Sequence, residues 1–294
     1  MLVVLRLSLG CHFLYEGVWK IRHADEFSAK PFLTQAKGPL APLFYRMVPD
    51  LYGRERLRIE ERSFEEEGKK LTRLVSACYV DSWQETLDRF VRFYHLSEEQ
   101  QAEAQKVLRQ HLDVLDRFLR ENQKEIAGYL RSLEDFEAWR SGASSARFEE
   151  ARVWERQQKL RAESAQWTNQ IDQMGQQFHQ ALWNKLDAEQ QAKGVVPLAA
   201  VGPDRLPVRL PGLQSWSDLL DKAVTYSLTA IGVCLLLGLC TRLAALGGAA
   251  FMLMVLATQP PWPTIYPPFP EVVGHAMVVD KNFVEMVALL VVMT

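Results

Sequence analysis

Two groups of polar, mostly ionisable side chains lie in or beside apolar stretches of the sequence, and these residues are the best candidates for chemistry. The first group falls within residues 1–21 and comprises Arg6, His12, Glu16 and Lys20. The second falls within residues 275–285 and comprises His275, Asp280, Lys281, Asn282 and Glu285. Ionisable residues inside a membrane segment are functional candidates by default. The carboxylates and imidazoles among them can accept and donate protons.

The spacing of these residues predicts which of them act together. His12, Glu16 and Lys20 are four residues apart and share one face of a helix, and Asn282 and Glu285 share a face of another. We expect these faces to point into a helix bundle or an aqueous cavity rather than at lipid. We predict Glu16 and Glu285 as catalytic carboxylates. The predicted ligand-binding residues are Arg6, His12, Lys20, His275 and Asn282.

A purely electrostatic role for the same residues stays open. In that interpretation Arg6 or Lys20 pairs with Glu16, and Lys281 pairs with Glu285, only to neutralise charge. The proton-transfer interpretation differs, because a carboxylate beside a histidine can take up the proton that a quinol releases.

We expect no metal site, haem or disulfide framework. The histidines of the middle of the chain have no metal-ligand spacing and are interpreted as packing or surface residues: His95, His111 and His179. A haem held by His12 and His275 is an alternative that we do not adopt. The four cysteines form no CxxC motif and are interpreted as small buried hydrophobic residues.

The elements that must position the candidate groups are apolar helices near the end of the chain. Residues 223–240 (AVTYSLTAIGVCLLLGLC) carry no charged side chain, and residues 243–257 are apolar again after a two-residue break. A third apolar run, residues 283–293, closes the sequence. About 20 apolar residues span a bilayer as a helix. We therefore predict three membrane helices within residues 216–294, the last of them cut short.

Residues 1–21 are predicted to form the first membrane helix. Arg6 and Lys20 lie close enough to its two ends to reach polar headgroups. The alternative is a signal peptide, in which positive charge precedes the apolar run and a small-residue cleavage site follows. The sequence has neither feature. Gly10 and Gly17, seven residues apart, offer places where a neighbouring helix can come close.

Three short patterns resemble the DoxX family of integral membrane proteins. They are residues 5–10 (LRLSLG) followed by Phe13, Leu14, Gly17 and Lys20, residues 238–246 (GLCTRLAAL), and residues 280–285 (DKNFVE). The resemblance implies a four-helix membrane bundle with both termini in the cytoplasm. Family members include a subunit of a thiosulfate:quinone oxidoreductase and partners of redox enzymes, so it also implies a link to quinones. A large insertion between the first and second helices departs from the family pattern.

The inserted region differs in composition from the apolar helices. Residues 54–193 are dense in Glu, Arg, Lys and Gln, and the net charge of the whole chain is −2, which excludes a nucleic-acid-binding protein. Residues 22–53 are broken by prolines and are predicted to lie in the headgroup zone; the alternative is a lid over the bundle. Residues 194–215, with four prolines, are predicted to form an extended linker.

Hydrophobic stripes with helical spacing predict that the insert is a helical hairpin or small bundle. A capping box from Ser97 to Gln100 starts one helix, a break is expected near Asn122, and Ser141 and Gly142 are expected to form a turn. The phrase at residues 96–102 (LSEEQQA) recurs at residues 186–192 (LDAEQQA). We interpret this recurrence as two capped helix starts rather than as a duplication.

The predicted fold is therefore all-α. A four-helix transmembrane bundle (residues 1–21 and 216–294) carries an extramembrane helical hairpin or bundle (residues 54–193) between its first and second helices. Arg242 is the sole charged residue between the second and third helices, so the positive-inside rule places that turn in the cytoplasm. Residues 22–215 then lie on the periplasmic side of a bacterial inner membrane.

The first functional hypothesis is a subunit or partner of a quinone-linked redox system, either catalytic itself or not, with a quinone as the candidate ligand. The alternative is a non-catalytic membrane-anchored protein whose periplasmic helices dock a protein partner or a second copy of the chain. Passage of a small solute through the bundle is a third hypothesis. We also expect the natural chain to extend beyond both ends, because the last helix stops after about eleven apolar residues.

Overall fold

The computed structural model describes residues 1–37, 40–66, 69–142, 147–210, 212–260 and 279–294. Within these residues the chain is mostly helical, with a few short strands. It divides into two compact units. One, which we call the apolar unit, consists mainly of Met1–Pro49 and Leu210–Thr294. The other, the insert unit, consists of Asp50–Ser144 and Arg152–Arg209.

The elements are numbered in chain order across both units. The helices are α1 (Leu2–Arg22), α2 (Lys30–Thr34), α3 (Ala41–Arg46), α4 (Ala77–Tyr94), α5 (Glu98–Gly142), α6 (Arg147–Trp183), α7 (Ala188–Gln191), α8 (Trp216–Leu237), α9 (Thr241–Thr258) and α10 (Lys281–Met293). The strands are β1 (Ile59–Glu66), β2 (Lys69–Ser76), β3 (Arg205–Leu210) and β4 (Leu213–Ser215).

Within the described part of the chain, three helices are long and apolar enough to cross a membrane: α1, α8 and α9. They correspond to the first three membrane helices that the sequence predicts. A serine caps the start of α8, since the Ser215 hydroxyl accepts a hydrogen bond from the Asp218 N–H at 2.9 Å. At its other end, Gly238 adopts the left-handed conformation (φ +73°) that often ends a helix.

Glycines allow α1 and α8 to pack with their backbones nearly touching. A Cβ atom added to Gly17 would lie 2.6 Å from the backbone nitrogen of Thr229, and one added to Gly232 would lie 2.6 Å from Cα of Leu14. Gly10 is similarly close to the side chain of Leu236. The prediction that Gly10 and Gly17 admit a neighbouring helix is confirmed, and that helix is α8.

Small residues also bring α9 close to its neighbours. The helix packs against α8 and α10, and α10 in turn contacts α1. Ala245 is fully buried, and a Cβ added to Gly248 would lie 3.1 Å from the Leu289 side chain of α10. These contacts fix the position of α10 relative to α1, which matters because both helices carry candidate site residues.

The segment that follows α1 is held against the apolar unit by specific hydrogen bonds. The N–H of Ala29 donates to Asp221 of α8 at 2.6 Å, and the N–H of Lys37 donates to the Thr258 carbonyl at the end of α9 at 2.7 Å. Leu33 and Phe44 are buried. The prolines leave only the short helices α2 and α3, as predicted. The tight attachment favours the interfacial-packing interpretation over a lid.

A hairpin of two strands lies near the start of the insert unit, in a region where the sequence predicts only helices. Strands β1 and β2 pair antiparallel, with Glu65 opposite Lys70 and Phe64 opposite Leu71. Opposite charges across a strand pair and an alternating apolar face favour strand over helix here. Strand β2 is fixed to α5 because the Leu74 N–H donates to Asp116 at 2.6 Å.

Helix α5 runs without a break through Asn122, so the predicted break there is wrong. The Asn122 side chain donates to the Phe118 carbonyl one turn earlier at 2.8 Å, which satisfies its amide inside the helix. The flanking residues Leu119 and Ile126 are fully buried and keep the apolar stripe continuous. The helix ends at Gly142, one of the two residues where a turn was predicted.

The recurring phrase does mark two capped helix starts, as predicted. Ser97 and Gln100 exchange hydrogen bonds at the start of α5, and Asp187 and Gln190 do the same at the start of α7. The sequence did not reveal that the two caps meet. The side-chain amides of Gln100 and Gln190 bond each other in both directions at 3.1 Å.

The segment after α7 is extended, as its prolines predict, but it is fastened to α4 rather than free. The Tyr94 hydroxyl donates to the Gly194 carbonyl at 2.7 Å and accepts from the Val196 N–H at 3.1 Å. Ala199 is held between Ser82 and Thr86 of α4 by two further hydrogen bonds of 2.6 and 2.9 Å. We call residues 194–199 the strap, and they belong to the insert unit.

Candidate functional site

A pocket in the apolar unit collects most of the residues that the sequence singled out. Its cavity volume is about 210 Å³, and it is lined by side chains from α1, α8, α9 and α10. The polar lining comprises His12, Glu16, Lys20, Lys281, Asn282 and Glu285, and the apolar lining comprises Phe13, Leu228, Phe251 and Met252. We call this cavity the α1–α10 pocket.

Helix α1 supplies a stripe of three ionisable side chains to the pocket. His12, Glu16 and Lys20 are one turn apart on a regular helix, which places all three on the same face. Lys20 forms an ion pair with Glu16 at 2.8 Å, and its ammonium group lies 5.2 Å from the ring centre of Phe27. The neutralising pair of Lys20 with Glu16, which the sequence left open, is therefore present.

Helix α10 brings a second carboxylate to the opposite wall. Glu285 Oε1 lies 3.7 Å from Nε2 of His12, so the two predicted site residues face each other across the pocket. Asp280 does not join them, because its carboxylate caps α10 by accepting from the Phe283 N–H at 2.8 Å. It also accepts from the Asn282 side chain at 3.0 Å, which orients that amide.

Two predicted ligand-binding residues are not part of the pocket as the structure describes it. Arg6 lies near the other end of α1, where its Nη1 is 2.8 Å from the position of a Cβ added to Gly238. There the guanidinium sits beside the last turn of α8, whose carbonyl groups carry partial negative charge. His275 lies outside the described residues.

The exposure of the charged groups is uneven. The side chain of Lys20 is 14 % exposed and that of Glu285 is 26 % exposed, whereas His12 and Glu16 are 47 % and 42 % exposed. In the Lys20–Glu16 pair the lysine is therefore the more buried residue, and in the His12–Glu285 pair the glutamate is. A charged group in an apolar region is costly unless it is paired or hydrated. The arrangement provides a partner for each carboxylate.

Sequence reasoning missed the apolar wall of the pocket. Leu228, Phe251 and Met252 come from the uncharged stretches of α8 and α9, where no residue stands out by type. The small-residue face of α9 was a usable signal, since it predicts which side of that helix packs inward. Phe13 is the clearest omission, because it is buried and directly follows His12.

Across the described part of the chain, no group of three or more His, Cys, Asp or Glu side chains is arranged to hold a metal ion. Two histidines of the insert unit contact backbone carbonyls: His111 with Val107 at 2.8 Å and His179 with Val196 at 2.6 Å.

Comparison with protein-family models, with curated proteins and with solved structures finds no match to this chain. The functional argument therefore rests on the residues and their geometry. The resemblance to the DoxX family has no support from these comparisons and stays a hypothesis.

Proposed function

We propose that this chain is a DoxX-like protein of the bacterial inner membrane whose α1–α10 pocket binds a quinone or a similar lipid-like ligand. In this proposal α1, α8, α9 and α10 form a four-helix transmembrane bundle. The observation that carries it is the composition of the pocket, in which two carboxylates with basic partners face an apolar wall inside an otherwise apolar unit. Placed polar groups beside apolar surface fix the orientation of a small-molecule ligand, and this pocket has six polar and four apolar lining residues.

The residues of the pocket can bind the ring of a quinone and can accept protons from its reduced form, the quinol. Phe13 and Phe251 offer apolar surface to a ring, and the amide of Asn282 and the lysine ammonium groups can donate hydrogen bonds to ring carbonyl oxygens. A quinol that is oxidised loses two protons and two electrons. His12 beside Glu285 at 3.7 Å is placed to accept one proton, with the carboxylate balancing the imidazolium charge, and the Glu16 carboxylate of the same pocket would accept the other. A redox partner protein would take the electrons.

The proposed orientation follows from charge. Arg242 is the sole charged residue between the apolar cores of α8 and α9, so that turn is placed in the cytoplasm. The ends of α1 and α8 that lead to residues 23–215 then face the periplasm. The insert unit is the part of the chain that is available to a periplasmic redox partner.

The experiment is quinone binding by the purified protein in lipid nanodiscs. We expect wild type to retain a quinone through purification, detected by solvent extraction and chromatography. Glu285→Gln, which keeps the shape but removes the charge beside His12, should lose at least tenfold in affinity for an added short-chain quinone. Glu163→Gln, a half-buried carboxylate of the insert unit, is the matched control. Wild-type binding by both Glu16→Ala and Glu285→Ala would overturn the proposal.

A second candidate function is docking of a protein partner by the insert unit without any reaction. The specific observation is a groove of about 400 Å³ along α4 and α5, with an apolar floor of Leu87 and Val91. Its polar rim consists of Gln84, Asp88, Arg92, Gln101 and Gln105. A photo-reactive amino acid in place of Gln101 should cross-link one defined protein in cells, whereas the same group at Lys124 should not. Equal cross-linking from both positions would argue against this function.

A further inference from the structure

The charged stripe on α1 reaches from the C-terminal end of the helix to its middle. Helix α1 has 21 residues, which corresponds to a length of about 31 Å at about 1.5 Å per residue. His12 is the middle residue of this helix, so it lies about 15 Å from either end. Glu16 and Lys20 continue the stripe toward the C-terminal end. We call the stripe of His12, Glu16 and Lys20 the polar track. It is about 12 Å long and starts near the middle of the membrane.

Hydrocarbon cannot be the surroundings of this track. Half of the His12 side chain and almost half of the Glu16 side chain are exposed, although both lie well inside the length of α1. An ionisable group that faces lipid at this depth costs several kcal/mol, and such groups normally line a water-filled cavity or the interior of a bundle. The pocket volume of about 210 Å³ exceeds what one water needs, which is about 10–15 Å³.

The track has a closed end as well as an open one. Toward the N-terminal end of α1, Leu9 lies about one turn before His12 and is buried in a cluster that includes Leu235, Ala245 and Leu289. Among the residues that the structure describes, the ionisable groups that line the pocket come from α1 and α10: His12, Glu16, Lys20, Lys281 and Glu285. Helices α8 and α9 contribute only apolar side chains to it.

We propose that the α1–α10 pocket is a hydrated half-channel. It connects the His12–Glu285 pair near the middle of the membrane with water on the side where α1 ends, and apolar packing closes it toward the other side. Protons reach the imidazole of His12 along this water, and Glu285 balances the charge. The inference rests on the membrane placement in the proposed function but not on a quinone as the ligand.

Cysteine accessibility tests the half-channel, and the native Cys11 provides a matched control. Cys11 is exposed in the structure and adjoins His12 at the same depth, but it does not line the pocket. Three proteins are compared, in each of which all other native cysteines are serine. One retains Cys11, and the other two carry Cys11→Ser with either His12→Cys or Glu16→Cys. Each is treated with a membrane-impermeant methanethiosulfonate in right-side-out and in inside-out membrane vesicles.

We expect His12→Cys and Glu16→Cys to react at least tenfold faster than Cys11, and from one side of the membrane only. A rate at position 12 no faster than that of Cys11, or equal labelling from both sides, would overturn the half-channel. A misfolded variant would be labelled from both sides of the membrane, so labelling from one side only cannot come from misfolding. No quinone is added, and failure of quinone binding would therefore leave this result standing.

Discussion

Replacement of Gly232 by alanine tests how closely α1 and α8 pack, and that packing sets the position of the charged stripe. An ideal Cβ at Gly232 would lie 2.6 Å from Cα of Leu14. Carbon atoms in good contact are about 3.5–4.0 Å apart, so the helices must separate by about 1 Å. The obstructing atoms are backbone and cannot rotate away. We expect a loss of about 1–3 kcal/mol, the usual cost of overpacking.

Gly247→Ala on α9 is the matched control for this experiment. A Cβ at Gly247 would approach no atom closer than 3.8 Å, and alanine is about 1 kcal/mol better than glycine in a helix interior. The control should therefore unfold at the wild-type temperature or above it, while Gly232→Ala should unfold several degrees lower. Thermal unfolding in nanodiscs, followed by tryptophan fluorescence, measures both. Equal midpoints for the two variants would refute the close packing of α1 against α8.

Three further predictions concern the insert unit. Gln100→Leu should cost about 1–3 kcal/mol in urea unfolding, since the buried amide of Gln190 loses one of its partners and the Ser97 N–H loses its capping hydrogen bond. The double variant with Gln190→Leu should cost less than the sum of the single changes, and strict additivity would contradict the pairing. Tyr94→Phe should speed hydrogen exchange at the Val196 N–H at least tenfold, because that N–H donates to the lost hydroxyl; unchanged exchange would mean that the strap is held elsewhere. Burial acts to raise the pKa of Asp116, but hydrogen bonds from a guanidinium and a backbone N–H outweigh it and lower the pKa. A lowered folded-state pKa stabilises the protein above the unfolded-state pKa of about 3.9 and is lost as the pH falls. The stability advantage of wild type over Asp116→Asn should thus be constant above about pH 5 and shrink below about pH 4, and an advantage independent of pH would contradict this assignment.

The sequence predicts the apolar helices well because their signal is local. Long runs without charge define α8 and α9, and Gly10 and Gly17 indicate where α1 meets a neighbour. The caps at Ser97 and Asp187 are equally local, because each consists of residues only three positions apart. Such features depend on a few neighbouring side chains and need no knowledge of the tertiary fold.

The features of the fold that the sequence did not predict are not local, because they depend on residues that lie far apart in the chain. The β1–β2 hairpin is stabilised by the Leu74 N–H bonded to Asp116, which is 42 positions away. Asn122 weakens a helix by propensity alone, but the buried Leu119 and Ile126 on either side keep α5 continuous. Tertiary packing outweighs local preference in both cases.

The candidate site is an intermediate case. Helical spacing alone placed His12, Glu16 and Lys20 on one face, and the structure brings that face to Asn282 and Glu285. Nothing in the spacing indicated that Arg6 would lie apart, beside Gly238 at the end of α8. The apolar wall from α8 and α9 could not be selected either, since leucine, phenylalanine and methionine are common on every side of a membrane helix.

The central claim is that the α1–α10 pocket binds a quinone-like ligand, and photo-affinity mapping tests it most directly. An azido-quinone is irradiated with the protein in nanodiscs, and the modified residues are located by mass spectrometry. We predict adducts on α1 around His12 and Glu16 and on α10 around Asn282 and Glu285, suppressed by excess unlabelled quinone. Adducts spread over exposed residues outside the pocket such as Leu243 and Leu253, with no suppression by competitor, would contradict the claim.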